Sequence, residues 1–322
     1  MRHTLVASLA GLALAGCGGG SSAPVASLGS RENSLTPDRH RSWMAPDAKK
    51  RDLLYVSDQG TDDVYAYSYP AGKLKGKLTG FDEPYGLCTD KRGDVFIVST
   101  EASEILEYRH GRTSPVATLG DSGEYPVGCS VDPTTGNLAV TNFQAAGSKP
   151  GSLAIYADAK GSPTLYDAAN IRLYEFCGYD VSGNVFVDGY TSSGSFGLAE
   201  LPKGASTFTD ISLNATIYQP GGVQWDGKYL AIGDQYYDNR PEAAIYQVSV
   251  AGSVGTVVNT IRLTQGSDDV QVVQFWKSGT NVIAGNFFTK SVGFWSYPAG
   301  GNPRKVIEGL KIPTGSTVSR GR

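Results

Sequence analysis

The sequence predicts an all-β fold built from repeated four-stranded sheets. The first observation is a recurrence. Gly86-Leu87-Cys88-Thr89-Asp90 returns as Gly128-Cys129-Ser130-Val131-Asp132, Cys177-Gly178-Tyr179-Asp180 and Gly222-Val223-Gln224-Trp225-Asp226. The aspartates lie 42, 48 and 46 residues apart, and a worn copy, Val272 to Gly279, has Lys277 in the Asp position. The second is that Pro84, Pro126 and Pro220 each stand six residues before their Asp, with Pro313 repeating the theme in Ile312-Pro313-Thr314-Gly315. The third is composition: 41 Gly and 18 Tyr suit many short strands and turns, and no long amphipathic helix is visible. A period in the forties with several strands per unit marks a β-propeller, whose sheets bury one another by radial packing.

Each Asp has a local task. In Asp90-Lys91-Arg92-Gly93 and Asp180-Val181-Ser182-Gly183 it opens a four-residue turn that ends in Gly, as a type I turn prefers. These residues read as turn formers, not catalytic acids. The prolines lack an N–H and fit where a loop enters a strand.

In chain order, Arg2 and the apolar run Leu5 to Ala15 form a segment too short to span a bilayer. Leu14-Ala15-Gly16-Cys17 resembles the lipobox of bacterial lipoproteins. That resemblance implies a signal peptide over 1–16, lipidation of Cys17 and a cell-envelope location. Gly18 in place of Asp implies the outer membrane, facing the periplasm or the surface. Residues 17–51 read as a flexible tether, Gly/Ser-rich and then poor in apolar residues. Lys49-Lys50-Arg51 reads as solvated linker.

The domain proper is expected over 52–322. Leu53–Asp58, Val64–Tyr69 and Lys73–Leu78 look like three strands without an innermost partner, and Gly315–Ser319 supplies it, closing the ring. The alternating lysines at 73, 75 and 77 read as edge protection. Further blades run from Tyr85 to Leu119, Val127 to Tyr166, Phe176 to Asp210, Gly221 to Ile261 and Val270 to Ile307. The total is six, about 45 residues each. The net charge of −3, or −4 without residues 1–16, leaves no footprint for nucleic acid.

The stretch Pro84 to Thr100 resembles the repeat shared by NHL proteins and the gluconolactonase/senescence-marker propellers. The match is clearest at the blades starting near 85, 127 and 221. It implies a six-bladed propeller and is nearly silent on function, because this fold hosts hydrolases, binding proteins and scaffolds. The lactonase branch implies a divalent cation in the central channel, held by Glu, Asn and an Asp from a Pro-Asp-Gly loop. Here that loop reads Pro84-Tyr85-Gly86, Pro126-Val127-Gly128 and Pro220-Gly221-Gly222, without the acid.

Only His110 of the three histidines falls in the expected domain, in an Arg-His-Gly surface turn, so no Ser/His/Asp set can be assembled. Beyond Cys17, the cysteines Cys88, Cys129 and Cys177 fall on innermost strands. They read as small buried apolar side chains, with a Cys129–Cys177 disulfide left open. The remaining signal is aromatic and amide. The loops entering strand one and leaving strand two carry Tyr85, Tyr125, Asn142, Phe143, Tyr190, Asp234, Tyr236, Tyr237, Asn286 and Phe287. Asp58, Asn142, Asp234 and Asn286 recur just past strand two, where they either cap backbone or join the aromatics in a rim for a sugar, peptide or protein loop.

The expectation is an enveloped-anchored binding or scaffold module, monomeric and without cofactor, whose partner is an envelope protein, glycan or peptide. The alternative is a metal-dependent lactonase-like hydrolase. Its cation would be held by Glu83, Glu124 or Asp269 with Asn142 or Asn286. A structural envelope protein is the third reading.

Overall fold

The structure, a computed structural model, describes residues 41–239 and 241–321. The segments expected to be signal peptide, the lipidation residue Cys17 and most of the tether lie outside the described residues. The described residues form one compact unit.

Strands come in antiparallel runs in chain order. β1 (Trp43–Met44), β2 (Leu53–Asp58), β3 (Asp63–Ser68) and β4 (Leu74–Leu78) open the fold. The next sheet holds β5 (Pro84–Thr89), β6 (Val95–Ser99), β7 (Glu104–Tyr108) and β8 (Ala117–Gly120). β9 (Glu124–Val131), β10 (Leu138–Ala145), β11 (Lys149–Tyr156) and β12 (Thr164–Tyr166) follow, then β13 (Leu173–Tyr179), β14 (Val185–Tyr190), β15 (Phe196–Leu201) and β16 (Thr209–Asp210). The largest sheet contains β17 (Ser212–Leu213), β18 (Pro220–Trp225), β19 (Leu230–Asp234), β20 (Ala243–Ala251), β21 (Val254–Leu263), β22 (Phe275–Ser278), β23 (Asn281–Asn286), β24 (Ser291–Ser296) and β25 (Gly300–Ile307). A single parallel pairing, Leu263 with Gly301, joins its two four-stranded antiparallel runs. The last strand, β26 (Pro313–Ser319), pairs antiparallel with β2, as the closure argument expects.

Period-two alternation explains how the sheets stack. Leu53 and Tyr55 of β2 pack with Leu87 and Ile97 of the next sheet, while Leu54 and Val56 point the other way, onto Ile283 and Phe294. Likewise Val95 and Ile97 face back and Phe96 and Val98 face forward, onto Leu138 and Tyr156. Strands buried on both faces read as continuous apolar runs, which is why Leu53–Asp58 carries no polar alternation.

Glycine sets the spacing of the innermost strands. A Cβ on Gly86 would stand 2.3 Å from the Val127 carbonyl oxygen, and one on Gly315 would stand 2.2 Å from that of Tyr85. Only Gly permits such backbone approach. The innermost pairings share an interruption just after the entry residue, between Pro84 and Leu87, Tyr174 and Cys177, and Pro220 and Val223.

The turn aspartates behave as expected. Asp90 accepts from the backbone N–H groups of Arg92 and Asp94, both at 2.8 Å, and Asp180 does the same for Ser182 and Asn184. Lys277, in the worn repeat, donates from Nζ to the Asp226 carbonyl at 2.7 Å.

Three points differ from the sequence reading. Ordered structure begins ahead of residue 52: Trp43 and Met44 pair with Lys77 and Gly76 of β4, and Ala48 is fully buried in the first core. β4 is therefore covered, and Lys75 and Lys77 bond Asp47 and Asp63 at 2.9 and 3.0 Å. His110 is half-buried, bonding Ser319 Oγ at 2.5 Å and the Arg51 carbonyl at 2.9 Å. Burial lowers its pKa.

The third point concerns cysteine. The disulfide joins Cys88 to Cys129, with Cα atoms 5.7 Å apart, and Cys177 is a buried free thiol. Neither three free thiols nor a Cys129–Cys177 bond occurs. The reason is register. Cys88 is paired one step nearer the turn than Cys129, opposite Phe96 where Cys129 is opposite Val140. One step flips a side chain to the other face. Cys88 and Cys129 thus meet in one core, while Cys177 faces Ala139 and Leu153 in the next.

Candidate binding site on the axis

The innermost strands β26, β5, β9, β13, β18 and β22 surround an axis, and two contacts cross it. The Tyr85 ring of β5 stacks on Phe176 of β13, centroids 6.4 Å apart. Gln274, just before β22, reaches Leu87 of β5 with both ends of its amide. It accepts from the Leu87 N–H and donates to the Leu87 carbonyl, each at 3.0 Å.

Gln274 also lines a cavity of about 220 Å³ at the end where strand one leaves for its Asp turn. Its wall includes the disulfide sulfurs' residues Cys88 and Cys129, the Cys177 thiol, Gly178 and Val223. Pro133, Val181, Trp225 and Trp276 also line it, together with Tyr179, which is itself buried in the core with Val185 and Leu201. Val181 is 65% exposed, the most exposed large apolar side chain described. The Trp225 indole N–H is buried with no partner among the described residues. A second depression of about 410 Å³ continues outward over Lys91, Trp276, Lys277 and Arg320. The site is thus a cavity lined in part by two tryptophans, with Lys91, Lys277 and Arg320 in the depression beside it. Burial pushes the Cys177 pKa far up, so its thiol is inert as a nucleophile.

This site was missed in the sequence, although a signal was present. Tyr179, Trp225 and Trp276 each sit immediately before the turn position, where the other repeats carry Thr89 and Val131. The last two of these rings, Trp225 and Trp276, are half-buried and line the cavity, whereas Tyr179 is buried in the core.

The residues expected from sequence lie at the opposite, strand-entry end, and their fates divide. Asp58, Asp234 and Asn286 are fully or almost fully buried and bond backbone. Asp234 accepts from the N–H groups of Tyr218, Gln219 and Tyr236, and Asn286 Oδ1 from those of Gln271 and Phe288. Asn142 is equally buried, and its Nδ2 donates to Ser152 Oγ at 3.2 Å. Tyr85 is taken up by the axis, and Tyr237 packs on Tyr246 under Arg262. Tyr125, Phe143, Tyr190 and Tyr236 are half-buried. Phe287 is presented, 40% exposed, with its ring edge against the equally exposed Phe288.

Two carboxyl pairs stand out, and of their four members only Glu124 was named from the sequence, as a cation ligand in the hydrolase alternative. Glu175 on β13 is buried beside Asp188, Tyr85 and Tyr190; burial raises its pKa to about 8 and that of Asp188 well above the usual carboxylate range. Asp188 Oδ1 accepts from the Phe176 N–H at 2.9 Å and Oδ2 has no partner among the described residues. Further out, burial brings Asp121 and Glu124 up to about 6 each. Among the described residues no group of three or more His, Cys, Asp or Glu is placed to hold a metal ion. Glu83, with φ +52°, is half-buried in its loop.

No family model and no curated protein matches the sequence. Solved structures do match. A chain in a crystal structure of a nidogen/laminin complex superposes with a TM-score of 0.66 at 12% identity, over 84% of this chain and 99% of that one. A functionally unknown protein from Desulfotomaculum acetoxidans DSM 771 gives 0.55 at 8% identity, again over 84% and 99%. The fold is a β-propeller. At such identities the likeness extends to fold alone, and the NHL and gluconolactonase resemblance rests on the quoted repeat. The propeller's two ends differ: one is crossed by Tyr85 and capped by Asp and Asn, the other is open.

Proposed function

We propose that this chain is a six-bladed propeller that serves as a lipid-anchored binding module of the cell envelope, and that its pocket is the axial cavity. The count of six is supported by dividing the largest sheet at its single Leu263–Gly301 pairing. The observation that carries the binding reading is the pair of half-buried tryptophans, Trp225 and Trp276, lining an axial cavity beside the exposed Val181. Aromatic anchors around a concavity are the usual centre of a recognition site. At about 220 Å³ the hole is below the range of pockets that enclose a drug-sized molecule, about 300–1,000 Å³. The occupant that fits is one side chain of a protein or peptide partner, with the rest of the partner lying over Val181 and the Lys91–Arg320 depression. The propeller seen in the nidogen/laminin complex supports a protein partner. Anchoring rests on the lipobox at Cys17.

The test is photocrosslinking from position 181 in cells, with position 258, on another exposed patch, as control. A product at 181 that disappears in Trp225→Ala supports the reading. A product that persists in that variant, or none at 181, overturns it. A Cys17→Ser chain should leave the membrane fraction. The exposed Phe287–Phe288 pair favours a second protein-binding surface at the other end, where the aromatic rim was expected.

A carboxylate-only hydrolase is the second reading. Glu175 and Asp188 favour it, because buried acids beside an axis are where functional sites concentrate. Lactone or ester hydrolysis lost in Glu175→Gln would establish it.

A further inference from the structure

The fold joins two basic segments that lie far apart in the chain. Ala48–Lys50 forms one 3₁₀ turn, and Lys49 packs against Gly111, where an added Cβ would stand 3.1 Å from the Lys49 Cα. Gly111 belongs to Arg109-His110-Gly111-Arg112, in the connection between β7 and β8. His110 fastens the two segments, bonding the Arg51 carbonyl through one ring nitrogen and Ser319 Oγ through the other. Ser319 Oγ donates in turn to the Gly93 carbonyl at 2.5 Å, which brings in the Asp90-to-Gly93 turn and Lys91. From there the depression lined by Lys91, Lys277 and Arg320 leads to Trp276, at the axial cavity. Cations thus run in a strip from the outer turn of the second sheet to the axis.

Ion pairing leaves this strip positive. Asp47 pairs with Arg51 and Lys75, Asp52 with Arg320, and Asp90 and Asp94 with Arg92. Asp132 lines the far side of the depression, and its carboxyl accepts from Thr134 and Thr135 of its own turn. Lys49, Lys50, Lys91, Arg109, Arg112 and Lys277 form no ion pair among the described residues. All but the half-buried Lys277 are exposed. Unpaired like charges gathered on one surface raise a potential that draws in anions. At the strand-entry end the sign reverses. Burial, and then the neighbouring Glu101, Asp82 and Asp62, raise the Glu83 pKa, so an anionic partner is repelled there.

We infer that this strip docks an acidic segment of a protein partner, which lies extended from the axis toward Lys49 while one of its apolar side chains enters the cavity. The inference rests on the binding reading above and adds the partner's charge and direction. Opposite charge across an interface sets its register and speeds encounter. The strip suits an extended chain better than a lipid surface, because it runs to one side of the axis only. On the other side Val181 projects, Lys203 donates to Thr134 Oγ1 at 2.8 Å and Lys228 lies over the Tyr229 ring.

The test is fluorescence anisotropy of a labelled nonapeptide, eight glutamates around a central leucine, with the full chain carrying Cys17→Ser so that no acyl chain takes part. The expected result is binding that weakens as salt rises and is about tenfold weaker in Lys49→Glu/Lys50→Glu/Arg112→Glu, a charge reversal at the docking surface. Lys149→Glu/Lys290→Glu/Lys311→Glu carries the same net charge, with its changes at the strand-entry end, and should bind as the parent does. All six positions are exposed, so both variants fold, which circular dichroism verifies. No binding of the acidic peptide, or an equal loss in the two variants, overturns the inference. So does sedimentation with phosphatidylglycerol vesicles without peptide binding, which makes lipid the occupant. Crosslinking from position 181 distinguishes the strip from the cavity. A product that Trp225→Ala removes and the first variant leaves undiminished keeps the cavity and overturns the acidic partner. No product at 181 overturns the cavity reading, and the inference falls with it.

Discussion

Tyr85 and Phe176 stack across the axis with ring planes inclined by 22°, joining strands β5 and β13 that share no hydrogen-bonded edge. This contact ties two sheets that are not sequence neighbours.

Tyr85→Ala should therefore cost about 3 kcal/mol, as the loss of a buried aromatic ring does. Tyr85→Phe keeps the stack and should cost under about 1.5 kcal/mol. Urea denaturation of both variants checks the pair of values.

The Cys88–Cys129 disulfide closes a loop with a sequence separation of 41. A loop of that length removes about 4 kcal/mol of unfolded-state freedom. Reduction should lower stability by about that amount. Thiol counting on a denatured, unreduced Cys17→Ser chain should find one free cysteine, Cys177.

Glu175 gives stability a direction with pH. Its pKa is about 8 in the folded chain and 4.5 ordinarily, so the folded state holds a proton that the unfolded state has released between those values. Stability is unpenalised below pH 4.5 and falls by up to about 1.4 kcal/mol per pH unit as pH rises toward 8. Asp188, beside it, shifts in the same sense, and Tyr85 and Tyr190 face the pair. Glu175→Gln should match the parent Tm at pH 4 and exceed it at pH 9. Equal melting at both pH values would refute this account.

The short strand Trp43–Met44 covers β4, and Ala48 fills the first core. A chain beginning at residue 52 should melt below one beginning at 41 and self-associate more readily, because β4 becomes an open edge. Calorimetry and sedimentation on the two chains check it.

The repeat made the sheets, their turns and the closing strand legible, because an Asp-to-Gly turn and a Pro entry are local demands that residue identity answers directly. Side-chain direction was less legible. Asn142, Asp234 and Asn286 were seen to recur, but capping and binding use the same residue types. Cys88 and Cys129 differ by one residue in their distance from the turn Asp, and that offset decides their pairing through the period of two. Trp225 and Trp276 were quoted within the repeat, yet their position next to the turn residues Asp226 and Lys277 masked them. The Glu175–Asp188 pair had no sequence signal, since its members meet only through the irregular pairing at the start of β13.

Leu53 pairs with Ser319. The two are 266 residues apart, by subtraction of those numbers. At about 5–20 residues per second of synthesis, β2 waits roughly 15–50 s for its inner neighbour. Throughout that interval its inner edge can accept an identical β26 from another chain. Such an exchange preserves every hydrogen bond of the fold while linking two molecules, so a swapped dimer is the characteristic misassembly of this protein, and its yield rises with the local concentration of nascent chains.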